Sequence, residues 1–215
     1  MLNKIMYWAF EGNEGTGKTV LSKSFAEQCG STWTYEPNAE TEELRFLREL
    51  SLNNEKKVPS KTRELCLLAN RSIHHQNLII PLLNESASII TDRSFLSGMV
   101  YAKIASYSFE EWFTLNQAVG CVFKYPDVII YCTSNKRKMN KKKIGRENDI
   151  YDNADQETIE LIDTIYEEAL DFISKYKHTK HIPIIRFENN FNLSAEENLK
   201  RFIKETKDIL LSEEV

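Results

Sequence analysis

The run Ile5-Met6-Tyr7-Trp8-Ala9-Phe10 leads through Glu11 into Gly12-Asn13-Glu14-Gly15-Thr16-Gly17-Lys18-Thr19, and then into Val20-Leu21-Ser22-Lys23-Ser24-Phe25-Ala26. An apolar strand, the pattern GxxxxGK[ST] and a segment at helical spacing are the three parts of a phosphate-binding loop. Each residue type has its own reason. Glycines let the backbone turn sharply and bring successive N–H groups close to a polyphosphate. Lys18 is placed to reach the outer phosphates, and the Thr19 hydroxyl suits a magnesium ion. The helix starting near Gly17 directs its positive end at the anion. The same letters occur by chance in ordinary glycine turns, and the strand before and helix after argue against that reading here.

A chain of 215 residues supports one substantial core and is short for two, so one domain over residues 1–215 is expected. With 28 Lys and Arg against 32 Asp and Glu, the net charge is -4, and nothing global marks a nucleic-acid binder. Cys29, Cys66, Cys121 and Cys132 are widely spaced, without a CxxC pair or a histidine at metal-ligand spacing. They read as reduced thiols. No apolar run reaches the length of a membrane span and no secretory signal opens the chain, so the expected location is the cytoplasm.

Short β-branched or aromatic runs alternate with longer amphipathic segments, the pattern of a doubly wound parallel sheet with helices on both faces. Five strands are expected, over about residues 4–10, Thr32–Tyr35, Ser88–Thr91, Asp127–Cys132 and Ile182–Phe187. Leu65, Leu68, Ala69, Ser72, Ile73, Gln76, Ile79, Ile80 and Leu83 recur at helical spacing and predict a long core helix with that stripe buried. Ser108 with Glu111 and Ser194 with Glu197 are capping boxes that start two more helices. No repeat or low-complexity linker suggests a domain boundary.

Thr91-Asp92-Arg93-Ser94 closes the apolar run Ser88-Ile89-Ile90, and ligands of an open parallel sheet bind at that end. An acid there holds a metal ion or its waters, and an adjacent arginine grips a phosphate. Glu36, in Tyr35-Glu36-Pro37, lies on the same rim. Three roles stay open for it: a base, a residue behind a metal site, or the start of the acidic stretch Glu40, Glu42 and Glu43. Arg45 and Arg48 follow on the next helix, where a solvated cation is the ordinary role. Lys136 through Lys143 holds six cations and no acid. It reads either as a solvated basic loop or, over about residues 134–152, as a lid whose Arg137 or Arg146 closes on the polyphosphate. His74 and His75 have no carboxylate or cysteine at ligand spacing and read as surface or satisfied residues. Trp8, Trp33 and Trp112 read as core fillers.

Phe10 through Thr19, Glu36-Pro37, Leu67-Leu68-Ala69-Asn70-Arg71 and Asp92-Arg93-Ser94-Phe95-Leu96-Ser97-Gly98 together resemble the thymidylate kinases, in order and spacing, from about residue 4 to residue 170. The resemblance implies a five-stranded P-loop kinase fold, ATP and magnesium, a homodimer, and phosphorylation of a deoxypyrimidine monophosphate, dTMP first, to its diphosphate. By position it makes Glu14 the acidic loop residue near the acceptor sugar and phosphate, and Arg93 the arginine on the acceptor phosphate. Asp92 becomes the acid beside magnesium, Arg71 the base-reading arginine, Tyr101 the ring that disfavours a 2'-hydroxyl, and Tyr151 the lid-side aromatic. Ser97 and Gly98 fall within the acceptor motif, and Arg48 is matched to a second acceptor-phosphate contact.

Three departures stand out. Gly15 replaces the loop arginine of some members, which directs attention to the lid arginines. Leu67 stands where a phenylalanine usually stacks on the base, and Tyr35-Glu36-Pro37-Asn38-Ala39 replaces a common Arg-Glu-Pro-Gly-Gly run. Two other readings are kept: a deoxynucleoside kinase using Glu36 as base, and a nucleotide-dependent nucleic-acid-binding protein using the basic interval.

Overall fold

The computed structural model describes residues 6–53, 55–118, 124–136 and 155–207. Their centre is a five-stranded parallel sheet of β1 (Tyr7–Glu11), β2 (Thr32–Tyr35), β3 (Ile89–Asp92), β4 (Val128–Ser134) and β5 (Ile184–Asn189), in the order β2-β3-β1-β4-β5. Each expected strand is present within two or three residues at its ends. β1 lies between β3 and β4, so the chain leaves it toward one edge and later returns on its other side. The crevice at that reversal opens where the carboxyl ends of the strands meet α1 (Lys18–Cys29).

Strand alternation divides the core into two layers. Trp8, Phe10, Val128, Ile130 and Cys132 point toward α1 and α8 (Ala195–Glu205), where Phe25, Phe187 and Phe202 complete an aromatic cluster. Phe25 and Phe202 meet edge to face with centroids 4.9 Å apart, a favoured geometry that adds to their burial. Ile129 and Tyr131 point to the opposite face. There they meet α5 (Phe95–Ile104), α6 (Phe109–Ala118) and α7 (Gln156–Lys175). Ser194 and Glu197 form the capping box of α8, and Ser108 and Glu111 bond reciprocally before α6.

α2 (Glu42–Leu52) packs on α3 (Ser60–His74), which continues through a π-helical turn, His75–Ile79, into α4 (Ile80–Asn84). The predicted long helix is therefore present, but its buried stripe is different. Leu65 is 44% exposed and Gln76 is exposed, while Glu64, Leu68, Arg71, His74, His75 and Ile79 are buried. The periodicity of apolar residues misleads here because the inward face is largely polar and its charges satisfy one another. The π turn extends this face, since successive residues of a regular helix diverge by about 100°, whereas His74 and His75 both reach the same carboxylate.

Of the three tryptophans, Trp8 and Trp112 are buried; Trp33 is half-buried, donates its indole N–H to Ser22 Oγ at 3.0 Å and stacks on Tyr35. Cys29, Cys66 and Cys132 are free thiols, and Cys121 lies outside the described residues.

Candidate active site

Three glycines set the loop between β1 and α1 at positive φ: Gly12 at 135°, Gly15 at 75° and Gly17 at 81°. At Gly12 a side chain is excluded twice, by φ and by space, since a Cβ would lie 2.3 Å from the Cys132 carbonyl oxygen. Side chains then fix the loop from inside. Asn13 Nδ2 donates to the Ile159 carbonyl and to Asp163 Oδ1, both at 2.9 Å, tying the loop to α7. Thr16 Oγ1 and Lys18 Nζ both donate to the Asn13 carbonyl, at 3.0 and 3.2 Å, and Asn189 Nδ2 donates to the Thr16 carbonyl at 2.8 Å. Lys18 is 5% exposed; burial, together with Arg93 nearby, holds its ammonium below the usual range. A buried cation bonded to one carbonyl is ready for an anion.

Thr19 donates its hydroxyl to Asp92 Oδ2, while Asp92 Oδ1 is buried with no hydrogen-bond partner among the described residues. A buried carboxylate oxygen in that condition calls for a cation. A hydroxyl, a carboxylate and waters are the hard oxygen donors that magnesium takes, so the residues fit that ion.

Arg93 follows β3 with φ at 74°, a conformation rare for a side chain of this size and concentrated at functional sites. Its Nη1 donates to Tyr166 Oη at 2.9 Å, Ser97 Oγ at 3.1 Å and the Gly12 carbonyl at 3.3 Å. Nη2 pairs with Glu14 Oε1 at 2.5 Å, and the guanidinium lies 5.5 Å from the centre of the Tyr101 ring. Glu14 thus reaches out of the loop to the arginine that resemblance assigns to the acceptor phosphate.

Beneath this cluster is a residue the sequence reading passed over. Glu11, fully buried at the end of β1, accepts from Ser94 N at 2.6 Å and Ser94 Oγ at 2.7 Å through Oε1, and from Ser97 Oγ at 2.5 Å through Oε2. Burial pushes its carboxyl up, and these hydrogen bonds pull it back. Ser97 and Tyr166 pass that order on to Arg93. A charged residue closing an otherwise apolar strand was the signal available, because such a group must be satisfied internally.

The side that the family resemblance assigns to the acceptor is built on α3 and α5. Arg71 donates Nε–H to Glu36 Oε2 at 2.6 Å and Nη2–H to the Ser94 carbonyl at 3.4 Å. His75 donates from Nε2 to Glu36 Oε1 at 3.0 Å, and His74 Nδ1 stands 3.6 Å from that oxygen. His74 Nε2 shares a 2.8 Å hydrogen bond with Thr34 Oγ1. Both histidines are thus buried and hydrogen-bonded through Nε2, not surface residues. Burial alone would raise the Glu36 carboxyl; Arg71 and the two imidazoles override it and hold it well below the carboxylate range. Glu36 here anchors Arg71, a contact that none of the three open roles included. Gly98 makes room for that arginine, since a Cβ there would meet Arg71 Nη1 at 2.6 Å.

Arg48 donates to the Pro37 carbonyl, beside the same rim, and Arg45 is exposed. Leu67 is half-buried one turn before Arg71. Arg137, Arg146 and Tyr151 lie outside the described residues, as does most of the expected lid.

Residues 10–198 match the family model described as thymidylate kinase. The chain belongs to the thymidylate kinase family. This family member is 27% identical over 206 residues to the thymidylate kinase of Campylobacter jejuni subsp. doylei, covering 95% of this chain and 100% of that one. It is 32% identical over 144 residues to the enzyme of Campylobacter curvus, covering 66% and 72%. In structure it resembles thymidylate kinase from Candida albicans, with a TM-score of 0.72 at 18% identity over 96% of this chain and 92% of that one. The enzyme from Ehrlichia chaffeensis gives 0.65 at 19%, over 95% and 99%. The P-loop kinase fold expected from the sequence is thus shared with solved members of the family.

Proposed function

We propose that this thymidylate kinase family member transfers the terminal phosphoryl group of ATP to a deoxypyrimidine monophosphate, dTMP first among them. The observation that carries the reading is Arg93, bonded at once to the phosphate loop through Gly12 and Glu14 and to the acceptor helix through Ser97. A side chain shared by the two halves is suited to align an acceptor phosphate with a donor held on the loop.

The loop amides and Lys18 hold the ATP phosphates. Thr19 and Asp92 would hold magnesium, which neutralises charge on the transferring group. Arg93 leaves part of its bonding to Glu14 for the acceptor phosphate, and Arg71, fixed by Glu36, faces the base. An acceptor phosphate is already an anion near neutral pH, so the step needs no general base. That suits a site whose Glu36 carboxylate is neutralised by Arg71 and held well below the ordinary range, where it is a poor proton acceptor. The deoxynucleoside-kinase reading gives that role to Glu36 and is correspondingly weaker.

The reading extends to one kinase domain over the whole chain, a cytoplasmic homodimer, and Arg137 or Arg146 as the arginine that closes on the phosphates. Among the described residues no helix is long and apolar enough to cross a membrane. Phe46 on α2 and Leu65 on α3 are exposed on two helices that pack together, which is apolar surface available to a second copy.

A coupled ADP-release assay with thymidine and the deoxynucleoside monophosphates tests the reading. Turnover of dTMP is expected; turnover of thymidine without dTMP refutes it, and salt-sensitive nucleic-acid binding with no ADP release supports the binding-protein alternative. Arg137→Ala or Arg146→Ala is expected to lower turnover at least about tenfold, or about 1.4 kcal/mol in the barrier.

A further inference from the structure

Glu64 lies on α3 about two turns before Arg71 and about one before Leu67. Only 7% of the residue is exposed. What acts on its carboxyl is burial first and then the charge of Arg71, with no hydrogen bond among the described residues. The neighbouring cation, Arg63, is committed elsewhere, donating to the carbonyls of Ser51, Asn53, Lys56 and Val58. A largely buried carboxyl with no partner among the described residues is satisfied only by what enters the space beside it, and a folded protein keeps few such groups without a use.

Glu64 lines a cavity of about 60 Å³, together with Leu67, Ile104 and Ala105 at the end of α5 and Ser51 on α2. Its place along the groove follows from the pairing of the two helices. Arg71 meets Gly98, whereas Glu64 and Leu67, earlier on α3, meet Ile104 and Ala105, later on α5. Along the two helices the cavity therefore lies farther on than the meeting of Arg71 and Gly98. Leu67, which the family resemblance places at the base, is also a wall of the cavity. The volume exceeds the roughly 10–15 Å³ that a water molecule needs and is well below the roughly 150 Å³ of a cavity that takes up a benzene ring.

We propose that Glu64 and this cavity form a subsite for a small hydrogen-bond-donating substituent on the acceptor base. It widens the acceptor class from dTMP to pyrimidine monophosphates that carry a hydroxymethyl group in place of the thymine methyl. This rests on the acceptor reading given above. A hydroxyl delivered to the cavity donates to the Glu64 carboxyl and supplies the partner it lacks. A methyl group leaves it unpaired, which is how a polar pocket discriminates between analogues of nearly equal size.

The test compares kcat/KM for 5-hydroxymethyl-dUMP and dTMP in the full-length enzyme and its Glu64→Leu and Glu64→Gln variants. The wild type is expected to use 5-hydroxymethyl-dUMP within threefold of dTMP or better. Glu64→Leu should lower that ratio about tenfold, through KM, and Glu64→Gln, whose amide still accepts a hydrogen bond, should lower it less. Thermal unfolding checks the fold, with Glu64→Leu at least as stable as the wild type. A wild-type ratio below one third, or a Glu64→Leu ratio within threefold of the wild type, overturns the subsite while leaving the kinase reading in place. Absence of turnover on both acceptors overturns the kinase reading itself.

Discussion

The phosphate loop and the proposed acceptor groove are held in shape by opposite means. The loop is nine consecutive residues, Glu11 to Thr19, whose shape is dictated by glycines at positive φ and whose contacts are mainly to backbone carbonyls. The groove is assembled from β2, α3, β3 and α5, and its order rests on the buried ion pair of Arg71 with Glu36 and on the His75 imidazole that hydrogen-bonds the same carboxylate. The loop therefore binds a group that every nucleoside triphosphate shares. The groove can be retuned one side chain at a time.

If that division holds, substitutions in the loop change transfer with any acceptor, and substitutions in the groove change stability and acceptor choice. The largest effect is expected from Lys18→Ala, which removes the buried cation aimed at the phosphates. Turnover measured at saturating acceptor should fall about 10³-fold, or about 4 kcal/mol, equally for every acceptor. Glu36→Gln comes next. It leaves the Arg71 guanidinium buried without its counter-ion, and urea unfolding should register a loss of about 3 kcal/mol near neutral pH. The folded Glu36 carboxyl titrates below its unfolded value of 4.5. Its contribution is therefore present above that pH and is lost on acidification through the folded value, so the gap between wild type and variant should close in acid.

Glu64 has the opposite sign. Burial pushes its carboxyl up to about 7 from 4.5. Native protein thus keeps a proton in this window that the unfolded chain has released, and stability falls as pH rises through it. At pH 8 Glu64→Gln should gain stability on the wild type, by at most about 3 kcal/mol, with the difference fading toward pH 4.5. Arg71, Arg63 and Tyr107 are the charged or titratable groups around it, and none pairs with it. The smallest effect is expected from Gly98→Ala, whose methyl would displace Arg71 Nη1. The KM for the acceptor should rise about tenfold, or about 1.4 kcal/mol, with the KM for ATP within threefold of the wild type. Equal changes in both constants would remove the distinction between the two halves.

Legibility in the sequence followed the range of the interactions. The β2 segment Thr32–Tyr35 was readable to the residue, because a short β-branched and aromatic run between turns carries its own evidence. The capping boxes were readable because both partners lie within one turn of helix. The inward face of α3 was not. Apolar periodicity pointed to Leu65 and Gln76, whereas the buried face carries Glu64, Arg71, His74 and His75, whose partner Glu36 comes from another part of the chain. Glu11 escaped for the same reason, as its partners Ser94, Ser97 and Tyr166 lie 83, 86 and 155 positions away.

The sequence by itself determined the glycine-rich phosphate-loop motif between a strand and a helix, because backbone conformation and local spacing carry that information. It also determined the order of strands and helices along the chain. Only the tertiary structure decided that Arg93 joins the loop to α5, that Glu36 serves Arg71, and that Glu64 faces a small cavity without a partner among the described residues. Those facts depend on which distant side chains share one low-dielectric interior, where a charge must find its counterpart or remain costly.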